Sequence, residues 1–493
     1  MLKKEKVKIS QRGKVKNHLF RGVDENLKSL IHSFRDVLVY YDPDVDGCIS
    51  GILVCKYLAK HGIRYKWFIN SHRSHDWSIP TDKIKNTDII AVDFIITYEK
   101  VRELCDVGCN IVSMDHHINR EEFIEYHSDK GTSGYVINNQ YPFEDEDSRY
   151  LSGAGVVYET LIQLDPEFDT IDNRALVGIT LLSDIRDIEN PLAERYLYDL
   201  YSQKYKGYLK YLIDSTMGDI DYGFGLPRMD RNYVDYKFSP AINSMLRFNR
   251  QDEVVNFFLN KGVLDISCRD EQKKLVRDLV KVTKCVEFPH LRVCYFNEEN
   301  FMEYADVLSS FVGLEASKYL GKGKSVICYM IGITDKGEKY VKRASFRGNI
   351  NGLPYRDVLL DKFTCLGHAS AFGIKNIKPN KKLFMECSDL LQQVEVDSRW
   401  ERKIIDVVNM SLFVNKSAYE IAEDNMYKLS QNQTYIRYTG SNIEQKRTGA
   451  KYSDYREFLV NGIPVKCFDK EVDFKTGLIV PILDRGLLTF VLE

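Results

Sequence analysis

Val37-Leu38-Val39-Tyr40-Tyr41-Asp42-Pro43-Asp44-Val45-Asp46-Gly47 decides how the rest of the chain reads. Its first five residues are apolar or aromatic without interruption, the pattern of a strand buried on both faces of a parallel sheet. Three acids follow at the carboxyl end of that strand. The arrangement recurs twice: Asp88-Ile89-Ile90-Ala91-Val92 runs into Asp93, and Asn110-Ile111-Val112-Ser113-Met114 runs into Asp115-His116-His117. A further acid, Asp184, follows the helical stretch Ala175 to Ser183. Ligands of open α/β sheets bind outside the carboxyl ends of the strands, so these side chains are expected at one spot. Carboxylates and imidazoles gathered so densely repel one another unless cations sit between them, and the cluster predicts a metal centre.

Working outward, the pattern alternates: strands at 37–41, 64–70, 88–93 and 110–115, helices at 48–61, 98–107, 153–164 and 173–186. This alternation predicts an α/β fold, a parallel sheet with helices on both faces. Gly153-Ala154-Gly155 is expected to start a helix packed close to the site. Residues 190–285 read as mostly helical, and the run Arg269 to Thr283 carries Leu275, Leu279 and Val282 at helical spacing, as in a connector. Strands return between 290 and 395, including Leu291 to Tyr295 and Ser325 to Tyr329. From 400 onward, short segments broken by Gly, Asp and Asn predict a small β-domain, with strands at 435–438, 463–467, 477–481 and 487–492.

At 493 residues the chain exceeds a single core and calls for two to four domains. A net charge of −2 does not by itself favour nucleic acid, but the first 21 residues hold Lys3, Lys4, Lys6, Lys8, Arg12, Lys14, Lys16 and Arg21 against the single acid Glu5. They form a basic arm or a solvated tail. The 11 cysteines lack framework spacing, and Cys55 and Cys328 fall inside apolar stretches, as reduced core thiols of a cytoplasmic protein do. Cys105 and Cys109 with His116 and His117 form an imaginable zinc set, which the surrounding carboxylates disfavour. No apolar stretch approaches a membrane span and no signal peptide is visible.

In order and with ordinary spacing, Asp44-Val45-Asp46-Gly47, Asp93, Asp115-His116-His117 and Asp184 resemble motifs one to four of the DHH phosphoesterases. Gly367-His368-Ala369-Ser370-Ala371-Phe372-Gly373 resembles the glycine-histidine loop of the DHH-associated domain. Within the family the chain is similar to the RecJ branch. Phe238 to Arg247 resembles the RecJ segment PRINAxGR, Phe311 to Ser317 its GIVAS segment, and Ser345-Phe346-Arg347 the Ser-x-Arg preceding the loop. There are departures. Where many members carry a metal-binding His, this chain has Tyr40, which implies one weaker metal site. In the PRINAxGR-like segment Ala241 and Leu246 replace Arg and Gly, while Asn243 and Arg247 remain.

The charge pattern sets off a basic arm at 1–22, and the resemblance implies a DHH catalytic domain at 23–200 followed by a helical connector at 201–288. A DHH-associated substrate-binding α/β lobe follows at 289–398, then a β-rich domain at 399–493. That last domain is expected to resemble an oligonucleotide-binding barrel in which Tyr435, Tyr438, Lys446, Arg447, Lys451, Tyr452 and Arg456 meet a single strand. The resemblance also implies two divalent cations, Mn²⁺ ahead of Mg²⁺, to polarise the phosphoryl group and activate water. Asp93 would bridge them, Asp44 would hold one, and Asp46, His116 and Asp184 the other. Asp42 and Asp115 would act from behind the ligands, His117 as general acid or scissile-phosphate ligand. Arg347, Gly367, His368, Ser370, Asn243 and Arg247 would bind substrate, in a cleft between the lobes. Ser71 to Trp77, with His72 and His75, reads as a loop. The leading expectation is a 5′-to-3′ exonuclease on single-stranded DNA, with a single-strand binding protein as a further partner. The alternatives are a phosphodiesterase for short RNA or cyclic dinucleotides, and a weakly active scaffold for replication or repair proteins.

Overall fold

The computed structural model describes residues 20–69, 77–118, 121–144, 146–184, 191–202, 234, 238–259, 264, 268–298, 307–318, 323–349, 353–367, 369–394, 403–414, 416–425, 433–445, 456–467, 477–484 and 487–492. The chain divides into two compact units, Met1–Ser202 and Gln203–Glu493. Lys3 to Lys16, His72, His75, His368, Lys446, Arg447, Lys451 and Tyr452 lie outside the described residues.

The first unit is the α/β layer that the apolar runs predict. Its strands are β1 (Asp36–Tyr41), β2 (Arg64–Ile69), β3 (Asp88–Val92), β4 (Asn110–Asp115), β5 (Glu125–His127) and β6 (Ser133–Asn138). Its helices include α1 (Glu25–Ser33), α2 (Val45–Lys60), α3 (Tyr98–Asp106), α4 (Gly153–Leu164), α5 (Ile171–Ser183) and α6 (Pro191–Ser202). The sheet order is β2-β1-β3-β4-β6-β5, parallel throughout except for the β5–β6 pair. From β1 the chain passes through α2 to β2 on one side, then returns to β3 on the other. That reversal is the topological switch point of the sheet, the place where α/β folds open a crevice.

Helix α2 is buried along almost its whole length, and it packs against α4 and α5. Ile49, Leu53 and Val54 are fully buried there, each contributing roughly 1.5–3 kcal/mol relative to exposure. Asp44 opens α2 by accepting the Gly47 N–H at 3.0 Å, and a Cβ on Gly47 would stand 2.4 Å from the Asp42 carbonyl oxygen. Glycine is therefore what lets the acidic turn fold tightly. Of the basic arm, Arg21 is described, and its guanidinium lies 4.7 Å from the Phe143 ring centroid while its N–H donates to Glu144 at 3.1 Å.

The second unit contains the helices Ser239–Arg247, Gln251–Phe258 and Cys268–Val282, then β7 (Lys284–Glu287), β8 (Leu291–Asn297), β9 (Ser325–Ile333), β10 (Lys339–Arg347), β11 (Thr364–Gly367) and β12 (Ala371–Lys375). These strands order as β11-β12-β10-β9-β8-β7. A third sheet is built from β13 (Lys403–Val407), β14 (Thr434–Tyr438), β15 (Ile443–Gln445), β16 (Arg456–Val460), β17 (Ile463–Cys467), β18 (Ile479–Asp484) and β19 (Leu487–Leu492). Its order, β13-β14-β18-β19-β17-β16-β15, mixes parallel and antiparallel pairs. The described strands thus form an open mixed sheet, not the closed barrel of the sequence reading. The expected aromatic platform changes with it. Tyr435 is fully buried beside Val480 and Val491, in a strand covered on both faces, with Ile436 buried in a separate cluster on the other side, so it presents no ring for base stacking. Tyr438 keeps partial exposure, and its hydroxyl accepts the Asn442 N–H at 3.2 Å. Among the described residues no helix is long and apolar enough to cross a membrane.

Candidate metal centre

Because β1, β3 and β4 are consecutive in the sheet and in register, Tyr41 opposite Val92 and Val92 opposite Met114, their carboxyl ends project side by side. Asp44 and Asp46 follow β1, Asp93 follows β3, and Asp115, His116 and His117 close β4. Asp184 arrives from elsewhere, as the residue ending α5. His116 is the hub of the cluster. Its Nε2 stands 3.1 Å from Asp93 Oδ1 and 3.7 Å from Asp46 Oδ2, and its Nδ1 is 3.7 Å from Asp184 Oδ2. His117 Nδ1 lies 2.8 Å from Asp115 Oδ1 and 4.0 Å from Asp93 Oδ1.

Asp93 adopts φ 62°, the left-handed region that Asp and Asn tolerate better than most residues. Its N–H donates to the Met114 carbonyl at 3.0 Å as the last rung between β3 and β4, and the left-handed φ then turns the chain off β3. Asp46 is held differently. Both its oxygens accept backbone N–H groups from the start of α4, Gly153 at 2.6 Å and Ala154 at 2.9 Å. The positive end of a helix thus faces a carboxylate at the centre of an acidic cluster. Ser152 caps α4 through the Gly155 N–H at 3.2 Å and ties it to α5 through Thr180 Oγ1 at 2.7 Å.

Burial, then the Asp184 and Asp44 charges, push the Asp46 carboxyl well above its usual range despite the helix N–H groups. Burial, then Asp46, Asp44, Asp42 and Asp115, do the same to Asp93. A raised folded-state value means that the native chain binds more protons than the unfolded one above the ordinary carboxyl value of 3.8. Metal-free protein is therefore expected to lose stability as pH rises through that window. Melting in a chelator should give a Tm lower at about pH 8 than at about pH 5, with added Mn²⁺ or Mg²⁺ raising Tm more at the higher pH. Equal metal-induced shifts at both pH values would contradict the site.

The donor set fits a divalent ion. Among the described residues no hydrogen bond reaches the buried Asp93 Oδ1 or Asp115 Oδ2. Donor atoms of Asp93, His116 and His117 lie within 4.8 Å of one another, and so do those of Asp46, His116 and Asp184. These are oxygens and imidazole nitrogens, the ligands of harder divalent metals. Cys105 and Cys109 take no part. Cys105 sits in an apolar cluster with Val101 and Ile111, and the Cys109 thiol donates to the Ile84 carbonyl at 2.7 Å. Asp42 is buried just behind the cluster.

Tyr40 adds no ligand. Its ring packs edge-on against Phe94 at 4.7 Å, and its hydroxyl pairs with Ser78 Oγ at 2.8 Å. Trp77, the described end of the loop segment, packs 4.8 Å from the same ring and donates to the Ile79 carbonyl at 2.6 Å.

In the second unit, Gly367 has φ 126°, and a Cβ there would lie 2.9 Å from the Ala371 carbonyl oxygen, so glycine is required. Arg347 ends β10, in register with Ala371. Its guanidinium donates to the Phe346 carbonyl at 3.0 Å, and burial draws it down to about 10. Ser370 is buried, its carbonyl accepting the Gly348 N–H at 2.8 Å. Asn243 is half-buried on the helix Ser239–Arg247. Arg247 is committed within the protein: it donates to Ser310 Oγ, and to Ser309 Oγ at 2.9 Å.

The sequence reading missed several residues. Asn138 ends β6 opposite Asp115 and donates to the His117 carbonyl at 2.9 Å, pinning the histidine pair. Ser152 and Thr180 hold the helix that serves Asp46. Arg356 braces the glycine-histidine loop, its N–H donating to the Ala369 carbonyl at 2.8 Å and its Nη1 to the Gly367 carbonyl at 2.7 Å. Polar residues that act through backbone carbonyls or through a partner distant in the chain leave no spacing signal.

The family described as "DHH family, N-terminal domain" matches residues 36–181, the span that holds β1, β3, β4 and α4 with their acids and histidines. Residues 36–181 are a DHH-family N-terminal domain. Around this DHH domain the whole chain is similar in fold to RecJ of Thermus thermophilus. The complex of that protein with Mn²⁺ shares 15% identity, covers 96% of this chain and 71% of its own, and superposes with a TM-score of 0.62. The complex with Mg²⁺ shares 14% identity, covers 96% and 69%, and gives a TM-score of 0.54. No curated protein matches the chain in sequence.

Proposed function

We propose that this DHH protein is a metal-dependent phosphodiesterase that degrades single-stranded DNA from the 5′ end, releasing mononucleotides. The observation that carries the reading is the buried cluster centred on His116, with Asp46, Asp93 and Asp184 around one ring, in a chain whose fold follows RecJ over nearly its full length. Two divalent ions, Mn²⁺ or Mg²⁺, would be held by Asp44, Asp46, Asp93, His116 and Asp184, and when bound would supply Lewis acidity to the phosphoryl group and to water.

The chain's own residues do the rest. The 2.8 Å contact with Asp115 Oδ1 keeps the proton of His117 on Nδ1 and orients the ring. When the ring is doubly protonated, Nε2–H is then the group that passes its proton to the leaving oxygen or grips the scissile phosphate. Helix α4 holds both oxygens of Asp46 by its first two N–H groups, so that carboxylate is oriented before substrate arrives. Arg347 and the loop from Gly367 to Gly373 serve phosphate recognition. A guanidinium pulled down by burial gains from an anion, and a backbone without a side chain at Gly367 permits close approach.

Arg356→Ala removes the side-chain brace on Gly367 but leaves the backbone tie to Ala369. One lost hydrogen bond is worth about 1 kcal/mol, so KM for a labelled strand should rise roughly 5-fold with kcat nearly unchanged. An unchanged KM would remove the loop from substrate binding.

The function itself is tested with purified protein, Mn²⁺ and single strands labelled at the 5′ or the 3′ end, beside a duplex and a dinucleotide. Immediate release of the 5′ label as mononucleotide is the expected result. Cleavage of the dinucleotide alone would replace the reading with a short-oligonucleotide phosphodiesterase, and inertness toward all substrates with either metal would replace it with a scaffold.

A further inference from the structure

We propose that Cys285 and Cys294 are a redox modification site, two thiols that a hydroperoxide converts to a reversible cross-strand disulfide on the edge of the second sheet. The pair stands in the hairpin of β7 and β8, where Cys285 is directly opposite Cys294. The Phe288 N–H donates to the Leu291 carbonyl at 2.8 Å, so Phe288 and Leu291 are a hydrogen-bonded pair. Alternation along an antiparallel ladder then makes Cys285 and Cys294 a non-hydrogen-bonded pair, with Cα atoms about 4.5 Å apart and side chains at their closest. That spacing lies inside the window a disulfide accepts. The two Sγ atoms are 2.9 Å apart.

The chemistry around the pair is asymmetric, as an attacking and a resolving thiol require. Cys285 is exposed on the outer strand, and Cys294 is fully buried beneath it. The Cys294 thiol hydrogen-bonding to it, with Arg292 alongside, lowers Cys285 to about 7, while Cys294 is driven upward by the same hydrogen bond and by burial. Cys285 is therefore the thiolate that meets an oxidant first.

A soft metal is the competing occupant, since Cys285, Cys294 and Glu315 have donor atoms within 4.8 Å of one another. Two thiolates in a tetrahedral zinc site sit about 3.7 Å apart, given Zn–S bonds of about 2.3 Å. The sulfurs here are closer than that. Glu315 already faces two cations, Arg292 Nε at 3.2 Å and Lys318 Nζ at 2.6 Å, which oppose a third.

In the reaction the Cys285 thiolate attacks one peroxide oxygen, the O–O bond breaks, and the other oxygen leaves with a proton as water or alcohol. The resulting sulfenic acid is attacked by Cys294 sulfur. The S–S bond forms, and the hydroxyl leaves with the Cys294 proton as water. Two electrons pass from the thiols to the peroxide, and a dithiol reverses the bond by exchange. The product staples the exposed edge strand β7, which directly follows the helix Cys268–Val282, to β8.

The test uses the full chain in hydrogen peroxide near one equivalent, followed by alkylation of remaining thiols, tryptic digestion and mass spectrometry, with EDTA present in one arm and Zn²⁺ in another. The expected species joins residues 285–292 to residues 293–318, appears in the EDTA arm, and vanishes with dithiothreitol. Cys285→Ser, at an exposed position, should abolish it while leaving Tm unchanged. The proposal is overturned if both cysteines are alkylated after peroxide, if Cys285 goes to sulfinic acid unlinked, or if Cys294 joins residues 325–336 through Cys328. It is overturned as well if Zn²⁺ binds one to one and blocks the link.

Discussion

Asp93→Asn is expected to lower phosphodiester hydrolysis by about 10³-fold or more while raising the melting temperature of the metal-free protein. Metal ions contribute several kcal/mol to such a transition state, and about 4 kcal/mol corresponds to roughly 10³-fold in rate. Asp93 lies 3.1 Å from His116 and within reach of His117, so its carboxylate stands beside both histidines of one donor group, and His116 links that group to Asp46 and Asp184. Asparagine is the informative replacement. At φ 62° it keeps the turn off β3, whereas alanine would add backbone strain and blur the result. The amide is also uncharged. Burial and four neighbouring carboxylates make the Asp93 charge costly, so its removal should raise Tm in EDTA by a few degrees. Rate measurement in Mn²⁺ together with thermal melting in EDTA reads both effects. A variant that kept wild-type hydrolysis, or that lost Tm in the chelator, would remove Asp93 from the metal centre.

Gly153→Ala carries the second large effect, at a position that binds neither metal nor substrate through a side chain. A Cβ there would fall 2.5 Å from Asp93 Oδ1 and 2.9 Å from its Cγ. Either α4 withdraws from the site or Asp93 moves. Overpacking of this kind costs about 1–3 kcal/mol of stability. Withdrawal of α4 also pulls the Gly153 and Ala154 N–H groups away from Asp46, and a displacement of about 1 Å at a catalytic group can cost roughly 10²-fold in kcat/KM. Gly155→Ala is the control on the same helix. Its added methyl would meet Leu151 Cδ2 at 2.9 Å and Cβ at 3.0 Å, pressing on an apolar neighbour and not on the acids, so activity should fall far less. Similar kcat/KM losses in the two variants would mean that general damage to α4, and not its approach to the acids, explains the effect.

Much of this was legible in the residues because parallel strands bury both faces. Val37 to Tyr41, Asp88 to Val92 and Asn110 to Asp115 appear as strands with boundaries within a residue or two of the apolar runs. Glycines at 153 and 155 marked the start of α4, and the apolar repeat after Arg269 marked the helix Cys268–Val282. The C-terminal segments were readable as strands and not as an architecture. Their pairing partners are distant in the chain, so β14 meets β18 and β17 meets β19, and short alternating runs do not state which edges remain open. Tyr435 misled for the same reason, since a strand's two faces become core or surface only once its neighbours are placed.

By itself the sequence determined which residues fall at the strand ends: acids and histidines after successive strands, an acid after α5, and glycines where backbone must approach. Those residue types are constrained by chemistry that acts at short range and shows in local patterns. Tertiary structure alone decided how the members are tuned. It gave Asp46 the N–H groups of α4, set His116 between Asp93 and Asp184, turned Tyr40 toward Ser78, and placed Cys285 across from Cys294. Each of these joins residues separated along the chain by up to 108 positions, through hydrogen bonds, burial and charge that exist only when the elements pack.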